Sequence, residues 1–242
     1  ICGVSKPSYS SCNLATHVGD EPAHVLANRG LLQEQFPDQL TWQWLNQVHG
    51  TDVAVIERVG PEPSADAVLT RRPDLVCCVQ TADCLPLLVA AVDGSEVAAI
   101  HAGWKGLASG VIESTIARLS TPAAKLAVWL GPAIGPCHFE VGAEVRDCFQ
   151  RASSSLSEPA ALENCFTPSQ NSGKYMADLY ALARLRLTAL GVREISGGDH
   201  CTHCNETEFY SYRRDGVTGR MLNAIRSEKR RVGRECGRRW GR

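Results

Sequence analysis

The sequence has no long hydrophobic run: its longest, residues 85–92, is strand length. A membrane helix needs roughly 18 apolar residues or more, so no span is expected. No basic segment followed by an apolar one opens the chain, and its first residue is Ile1 rather than Met, so no secretory signal and a shortened N-terminus are expected. Internal repeats are lacking, and so is a linker long enough to divide two domains. A second CxxC to complete a zinc ribbon with Cys201 and Cys204 is also missing. With 44% hydrophobic and 21% charged residues, the composition excludes disorder, collagen-like repeats and coiled coil.

Cysteine, by contrast, is plentiful: eleven residues in a chain of 242. That length is too great for a disulfide-stapled miniprotein. Free buried thiols plus a metal site in a reducing cytoplasm are the expectation. The net charge of -1 conceals an asymmetry, because residues 226–242 hold eight Lys/Arg against two Glu, a net of +6 that leaves -7 for residues 1–225. This basic tail has no apolar period and resembles the read-through translation of a sequencing adapter, so it is set apart as non-native and disordered. The remaining domain is mildly acidic, which argues against nucleic acid.

A helix is predicted over residues 21–35, where Asp20, Glu21 and Pro22 supply a cap, an early acid and an early proline. Its buried residues should include Leu26, Leu31 and Leu32. Strands are predicted at 41–48, 52–57, 75–80, 85–92, 96–100 and 125–130, and apolar continuity in three of them suggests a sheet covered on both faces. Apolar spacing predicts further helices over 106–119 and 177–190, the second stopped by Gly191, with 151–174 as a loop. The fold class is α/β, a single layered mixed-sheet domain with helices covering the sheets.

Three reactive side chains stand where strands end: His49 in NQVHG, Cys84 in TADCLP and His101 opening HAGWKG. Two imidazoles and a thiolate suit Zn²⁺, and three protein ligands leave a fourth position for water or substrate. Taken singly, such a histidine is more often a hydrogen-bonding core or surface residue, and such a cysteine a small hydrophobe. Asp83 beside Cys84, and Asn46 and Gln47 near His49, could orient ligands or hold a substrate, or could simply serve turns and solvation.

The strings SCNLATHVGD, LNQVHGTDV, ADAVLT, TADCLPLLVA, AAIHAGWKGLASGVI, WLGPAIGPCHFEVG, KYMADLYALARLRLTALGV and CTHCNETEFYSYRRDGVTGRM occur in that order. In them the chain resembles the YfiH-type purine nucleoside phosphorylases, also called the laccase-domain or multicopper polyphenol oxidase family. The resemblance runs from about residue 3 to residue 222. It implies a layered α/β domain of the YfiH-like type, with His49, Cys84 and His101 on the family's zinc ligands. It further implies phosphorolysis of adenosine, inosine, guanosine and methylthioadenosine, and deamination of adenosine. Two departures stand out: the usual SLNL is SCNL here, placing Cys12 near the expected substrate region, and the start of the family domain is missing.

Phosphorolysis breaks the C1′ to N9 bond with oxocarbenium character, so phosphate must be held near C1′ and charge on the departing base stabilised. Lys105, between Gly103 and Gly106, could cradle an anion, and Arg213 and Arg214 are further cations. Deamination needs an activated water, which a three-ligand Zn²⁺ supplies, and Asp83 is the candidate proton carrier. The expected partners are purine nucleosides and phosphate, with no nucleic acid or membrane. A cytoplasmic monomer is expected.

Four rivals stand beside this reading, one of them a non-enzymatic interaction module, which would bind no metal and turn over nothing. His138 and Glu140 spell HxE and, with Cys201 and Cys204, resemble the nucleobase deaminase signature, although His200 stands where that signature has proline. Cys84 with His101 as its base would make a cysteine hydrolase or deamidase. Copper would find His₂Cys at the same three residues, but seven histidines and no HxH pair are too few for a multicopper polyphenol oxidase.

Overall fold

The computed structural model describes residues 3–36, 40–152 and 159–227. The expectations for residues 228–242, for Ile1 and for most of the 151–158 stretch lie outside the described residues.

Helix α1 (Pro22–Glu34) leads to β1 (Thr41–Gln43), β2 (Val53–Val55), β3 (Ala67–Thr70), β4 (Leu75–Thr81), β5 (Leu85–Ala91) and β6 (Val97–Ala102). Two short helices follow, α2 (Trp104–Ser109) and α3 (Val111–Ile116), then β7 (Leu126–Leu130). The second half of the chain runs β8 (Glu140–Gly142), α4 (Ala143–Ala152), α5 (Pro159–Glu163), β9 (Phe166–Pro168), β10 (Lys174–Ala177) and α6 (Leu179–Ala189). It ends with β11 (Glu194–Gly197), α7 (Tyr212–Asp215) and β12 (Met221–Arg226).

A six-stranded sheet has the order β11-β7-β5-β6-β3-β2, a three-stranded sheet β1-β4-β12, and a small antiparallel sheet β8-β10-β9. Side chains alternate between the faces of a strand, and the burial follows that alternation. In β6, Ala98, Ile100 and Ala102 join a core with α2, α3 and α6, whereas Val97 and Ala99 meet Cys77 and Val79 of β4. On the far side of β4, Val76 and Cys78 pack with Trp42 and, from α1, Leu32. The layers are therefore helices, large sheet, small sheet and α1. Both faces of β4 and β6 are buried, as the unbroken apolar runs predicted.

Three corrections follow. Leu26 is 65% exposed and Leu31 and Leu32 are only half-buried, so α1 instead buries Val25 and Asn28. The helix predicted over 106–119 is two helices, because Gly110 takes φ 100° between them. The 151–174 loop contains α5, β9 and the start of β10. In addition, Arg226, grouped with the tail in the sequence, closes β12 opposite Val76.

One buried charge ties the helical layer together. Arg186 of α6 is 6% exposed, pairs with Glu113 of α3 and donates from Nη2 to the Ala108 carbonyl at 3.0 Å. The Glu113 side chain is 35% exposed, so water takes over part of its solvation once the arginine is gone. Arg186→Ala is expected to cost about 2 kcal/mol through lost hydrogen bonds and packing, read as a lower urea midpoint at unchanged slope.

Candidate metal centre

The antiparallel ladders around β6 bring distant residues to one rim of the large sheet. Ala67 of β3 pairs with Ile100 and Leu85 of β5 pairs with Ala102. Asp66, just before β3, and Cys84, just before β5, therefore both arrive beside His101. The same alternation that sends Val97 and Ala99 towards the small sheet sends His101 that way. His49 comes from the loop after β1, in the left-handed region at φ 59°.

The ligand atoms of His49, Cys84 and His101 all lie within 4.8 Å of one another. Cys84 Sγ is 3.7 Å from His49 Nε2, and the two imidazole rings meet edge to face with centroids 4.8 Å apart. Behind them stands Asp66, fully buried. Its Oδ1 is 2.7 Å from His101 Nδ1 and accepts from the His49 N–H at 2.9 Å, while its Oδ2 accepts from Val48 and Gly50 N–H at 3.2 and 2.6 Å. One carboxylate thus holds the turn that bears His49 and the ring of His101, leaving the other ring nitrogen, Nε2, to serve as a ligand. A sparsely populated φ at a reactive residue persists when its surroundings fix it, and these three backbone N–H bonds do so.

Electrostatics supports a thiolate. Burial pushes the Cys84 thiol up, but the charge of His101 and hydrogen bonds from His101 and His49 outweigh it and bring it down to about 6. Burial likewise pushes His101 down, yet the Cys84 charge and the Asp66 hydrogen bond raise it to about 9. Two imidazoles and a thiolate at this spacing fit a zinc ion with one position left over.

Gly103 makes the approach possible: a Cβ built there would lie 2.6 Å from His49 Cδ2 and 3.1 Å from Cys84 Sγ. Gly103→Ala is expected to push both ligands apart and weaken metal binding by about tenfold or more, measured by competition with a chelator, with the circular dichroism spectrum unchanged.

The three side chains line a cavity of about 460 Å³ together with His17, Gln47, Gln80, Asp83, Arg213 and Arg220. That volume suits a small organic ligand. A larger but shallower depression of about 800 Å³, lined in part by Cys12 and Tyr210, holds none of the three.

The profile of the multi-copper polyphenol oxidoreductase laccase family matches residues 1–228. The chain belongs to that family. It is 46% identical over 231 residues to the purine nucleoside phosphorylase YfiH of Escherichia coli, covering 93% of this chain and 90% of that protein. A Pseudomonas aeruginosa protein, also named a purine nucleoside phosphorylase, is 47% identical over 227 residues, with 92% and 88% covered. The crystal structure of Neisseria meningitidis protein NMB0706 superposes with a TM-score of 0.86 at 46% identity, covering 94% of this chain and 91% of that one. That of YlmD from Geobacillus stearothermophilus gives 0.86 at 32%, with 95% and 89% covered.

Within this family member, the residues singled out from sequence divide. Gln47 reaches the cavity wall, its amide pairing with the backbone of Gln80 in both directions at 2.8 Å. Asn46 does not reach it and donates to Ser64 Oγ at 2.9 Å. Lys105 is exposed, with Nζ 5.7 Å from the Trp104 ring centroid, and lies off the cavity wall, so it cradles no anion there. Asp83, at φ 88°, lines the cavity, but its Oδ1 accepts from Thr202 Oγ1 and its Oδ2 from the Arg213 N–H, each at 2.6 Å.

Arg213 stands at the cavity edge, its Nη1 donating to the Glu140 carbonyl at 2.9 Å and its guanidinium 5.5 Å from the Phe139 ring centroid. Arg214 turns away to Asp215 and to the carbonyls of Thr202, His203 and Phe209. The deaminase rival fails at Glu140, whose carboxylate is taken by Lys174, Ser169 and Asn171.

Sequence reasoning missed Asp66, His17 and Arg220. A lone acid opening the buried run of β3 was the available sign for the first. The other two reach the cavity from separate loops, and nothing in their local pattern marks them. Among the described residues, no helix is long and apolar enough to cross a membrane.

Proposed function

We propose that the protein is a zinc-dependent purine nucleoside phosphorylase with adenosine deaminase activity. The observation that carries this reading is the His49, Cys84 and His101 cluster in the wall of a nucleoside-sized cavity that also presents two arginines. The relatives' names supply the substrate class. A zinc ion held by those three residues supplies a Lewis-acid position and a water of lowered pKa.

The chain's own residues supply the rest. Arg213 and Arg220 offer planar N–H donors suited to phosphate. Burial, followed by the nearby charge of Arg220, lowers the pKa of His17, so its imidazole is neutral at pH 7 and able to accept a proton at the cavity wall. Asp83 is reassigned from proton carrier to positioning residue, because its two hydrogen bonds fix the Arg213 backbone and the Thr202 loop. Asp66 holds His101 in one tautomer through Nδ1.

The test incubates zinc-loaded protein with adenosine, with and without phosphate, and follows adenine, ribose 1-phosphate and inosine. Adenine and ribose 1-phosphate appearing only with phosphate support phosphorolysis, and inosine supports deamination. Folded, metallated protein that yields neither overturns the proposal. Iodoacetamide separates the cysteine-hydrolase alternative. A liganding Cys84 is shielded until a chelator is added, whereas a nucleophilic one is trapped with the metal still bound.

A further inference from the structure

A second cluster lies outside the metal centre just described. Cys137 and His138 stand in the turn between β7 and β8, and Cys201 and Cys204 in the loop after β11. Their ligand atoms also fall within 4.8 Å of one another. Cys137 Sγ is 3.6 Å from Cys201 Sγ and 3.5 Å from Cys204 Sγ. His138 Nδ1 is 3.3 Å from both Cys137 Sγ and Cys204 Sγ, and 4.0 Å from Cys201 Sγ.

Those separations have a simple meaning. Zinc bonds of about 2.3 Å to sulfur and about 2.0 Å to nitrogen, arranged tetrahedrally, put donors about 3.8 Å (S to S) and about 3.5 Å (S to N) apart. The S–S edges of 3.6 and 3.5 Å fall about 0.2 to 0.3 Å short of the first value, and the S–N edges of 3.3, 3.3 and 4.0 Å straddle the second. A disulfide would require about 2.05 Å, and all three cysteines are free. Ordinary apolar packing does not account for the cluster either, because Cys137 and Cys204 are exposed. The surroundings are arranged for it: the Gly135 N–H donates to Cys201 Sγ at 3.2 Å, and a Cβ at Gly135 would lie 3.1 Å from Cys201 Cβ. The His138 ring is stacked on His203 at 3.8 Å.

We propose that Cys137, His138, Cys201 and Cys204 form a second, structural zinc site. Four protein donors close the coordination shell, which distinguishes it from the three-donor centre with its vacancy. Its task is to clamp the 133–139 turn to the 201–204 loop, two segments also linked by the short Ala133 to Cys201 bridge, the Gly135 N–H bond to Cys201 Sγ and the His138–His203 stack. Both segments support the cavity wall. The Ile134 N–H donates to the Asp83 carbonyl, Thr202 Oγ1 to the Asp83 carboxylate, and Arg213 Nη1 to carbonyls of His138 and Glu140.

The test is native mass spectrometry and metal analysis of the full chain, purified without chelator and titrated with zinc. Wild type is expected to bind two zinc ions, and Cys204→Ser and Cys137→Ser one each. Both positions are exposed, so the fold should survive. Should either variant fail to fold, peptide mapping of the wild type after alkylation decides: Cys137, Cys201 and Cys204 are shielded with zinc and modified once it is chelated. A Cys84→Ala variant, lacking the first centre, should still bind one zinc and, with Co²⁺ in its place, show sulfur-to-cobalt charge transfer. Wild type that takes up a single zinc, with these three thiols alkylated equally with and without metal, overturns the proposal.

Discussion

Cys84→Ala is expected to lower phosphorolysis of adenosine by about a thousandfold or more, a loss of about 4 kcal/mol in transition-state stabilisation, while leaving the fold intact. Among the three side chains proposed to hold zinc, Cys84 is the one that would be anionic when bound, and its thiol is already brought to about 6 by its neighbours. Alanine keeps the backbone and removes one half-buried sulfur, so little packing is lost. The measurement pairs initial rates with zinc content and far-ultraviolet circular dichroism. A folded variant that turns over at the wild-type rate would show that the reaction does not pass through this centre.

Asp66→Ala should do more harm to the fold. Three partly buried backbone N–H groups and the buried His101 ring lose their common acceptor, itself fully buried. A buried donor left unsatisfied costs roughly 1 to 3 kcal/mol, so a total of about 4 kcal/mol is expected, together with release of the left-handed turn at His49. Metal affinity should fall about 10-fold to 100-fold as the supporting carboxylate disappears. Asp66→Asn keeps one accepting oxygen and should retain more stability than affinity. Urea denaturation and chelator competition, run on both variants, separate the two effects. An Asp66→Ala protein of wild-type stability and zinc affinity would reduce the carboxylate to a bystander.

The central strands were legible because β4 of the β1-β4-β12 sheet and β5, β6 and β7 of the large one are apolar over most of their length, the signature of well-covered strands. The short strands β3, β8 and β9 escaped because three or four residues carry too little period, and their pairing is set by distant partners. Gly110 sat inside a helical apolar period that continues on both sides of it, so the break was visible only in its φ.

At the site, reactive residues at strand ends were a sound guide to His49, Cys84 and His101, which the fold gathers. Adjacency in sequence was a mixed guide to the rest, since Gln47 and Asp83 do line the cavity. Asn46 and Lys105 neighbour the ligand segments yet lie off the cavity wall, since successive side chains leave a strand or turn in different directions. The His138, Cys201 and Cys204 pattern was noticed for its likeness to a deaminase signature. Cys137 was not grouped with them, and its thiol brings the cluster to four donor atoms.

The two clusters differ in what builds them. Around His101, the positions of Asp66 and Cys84 are dictated by ladder hydrogen bonds between β3, β5 and β6 that exist whether or not an ion is present. Such a seat is ready-made: cation exchange there needs no rearrangement of the main chain, and a departing ion leaves its socket standing. The loops around Cys137 and Cys204 are joined by the isolated Ala133 to Cys201 bridge rather than a ladder, so there the proposed cation would itself be part of the masonry.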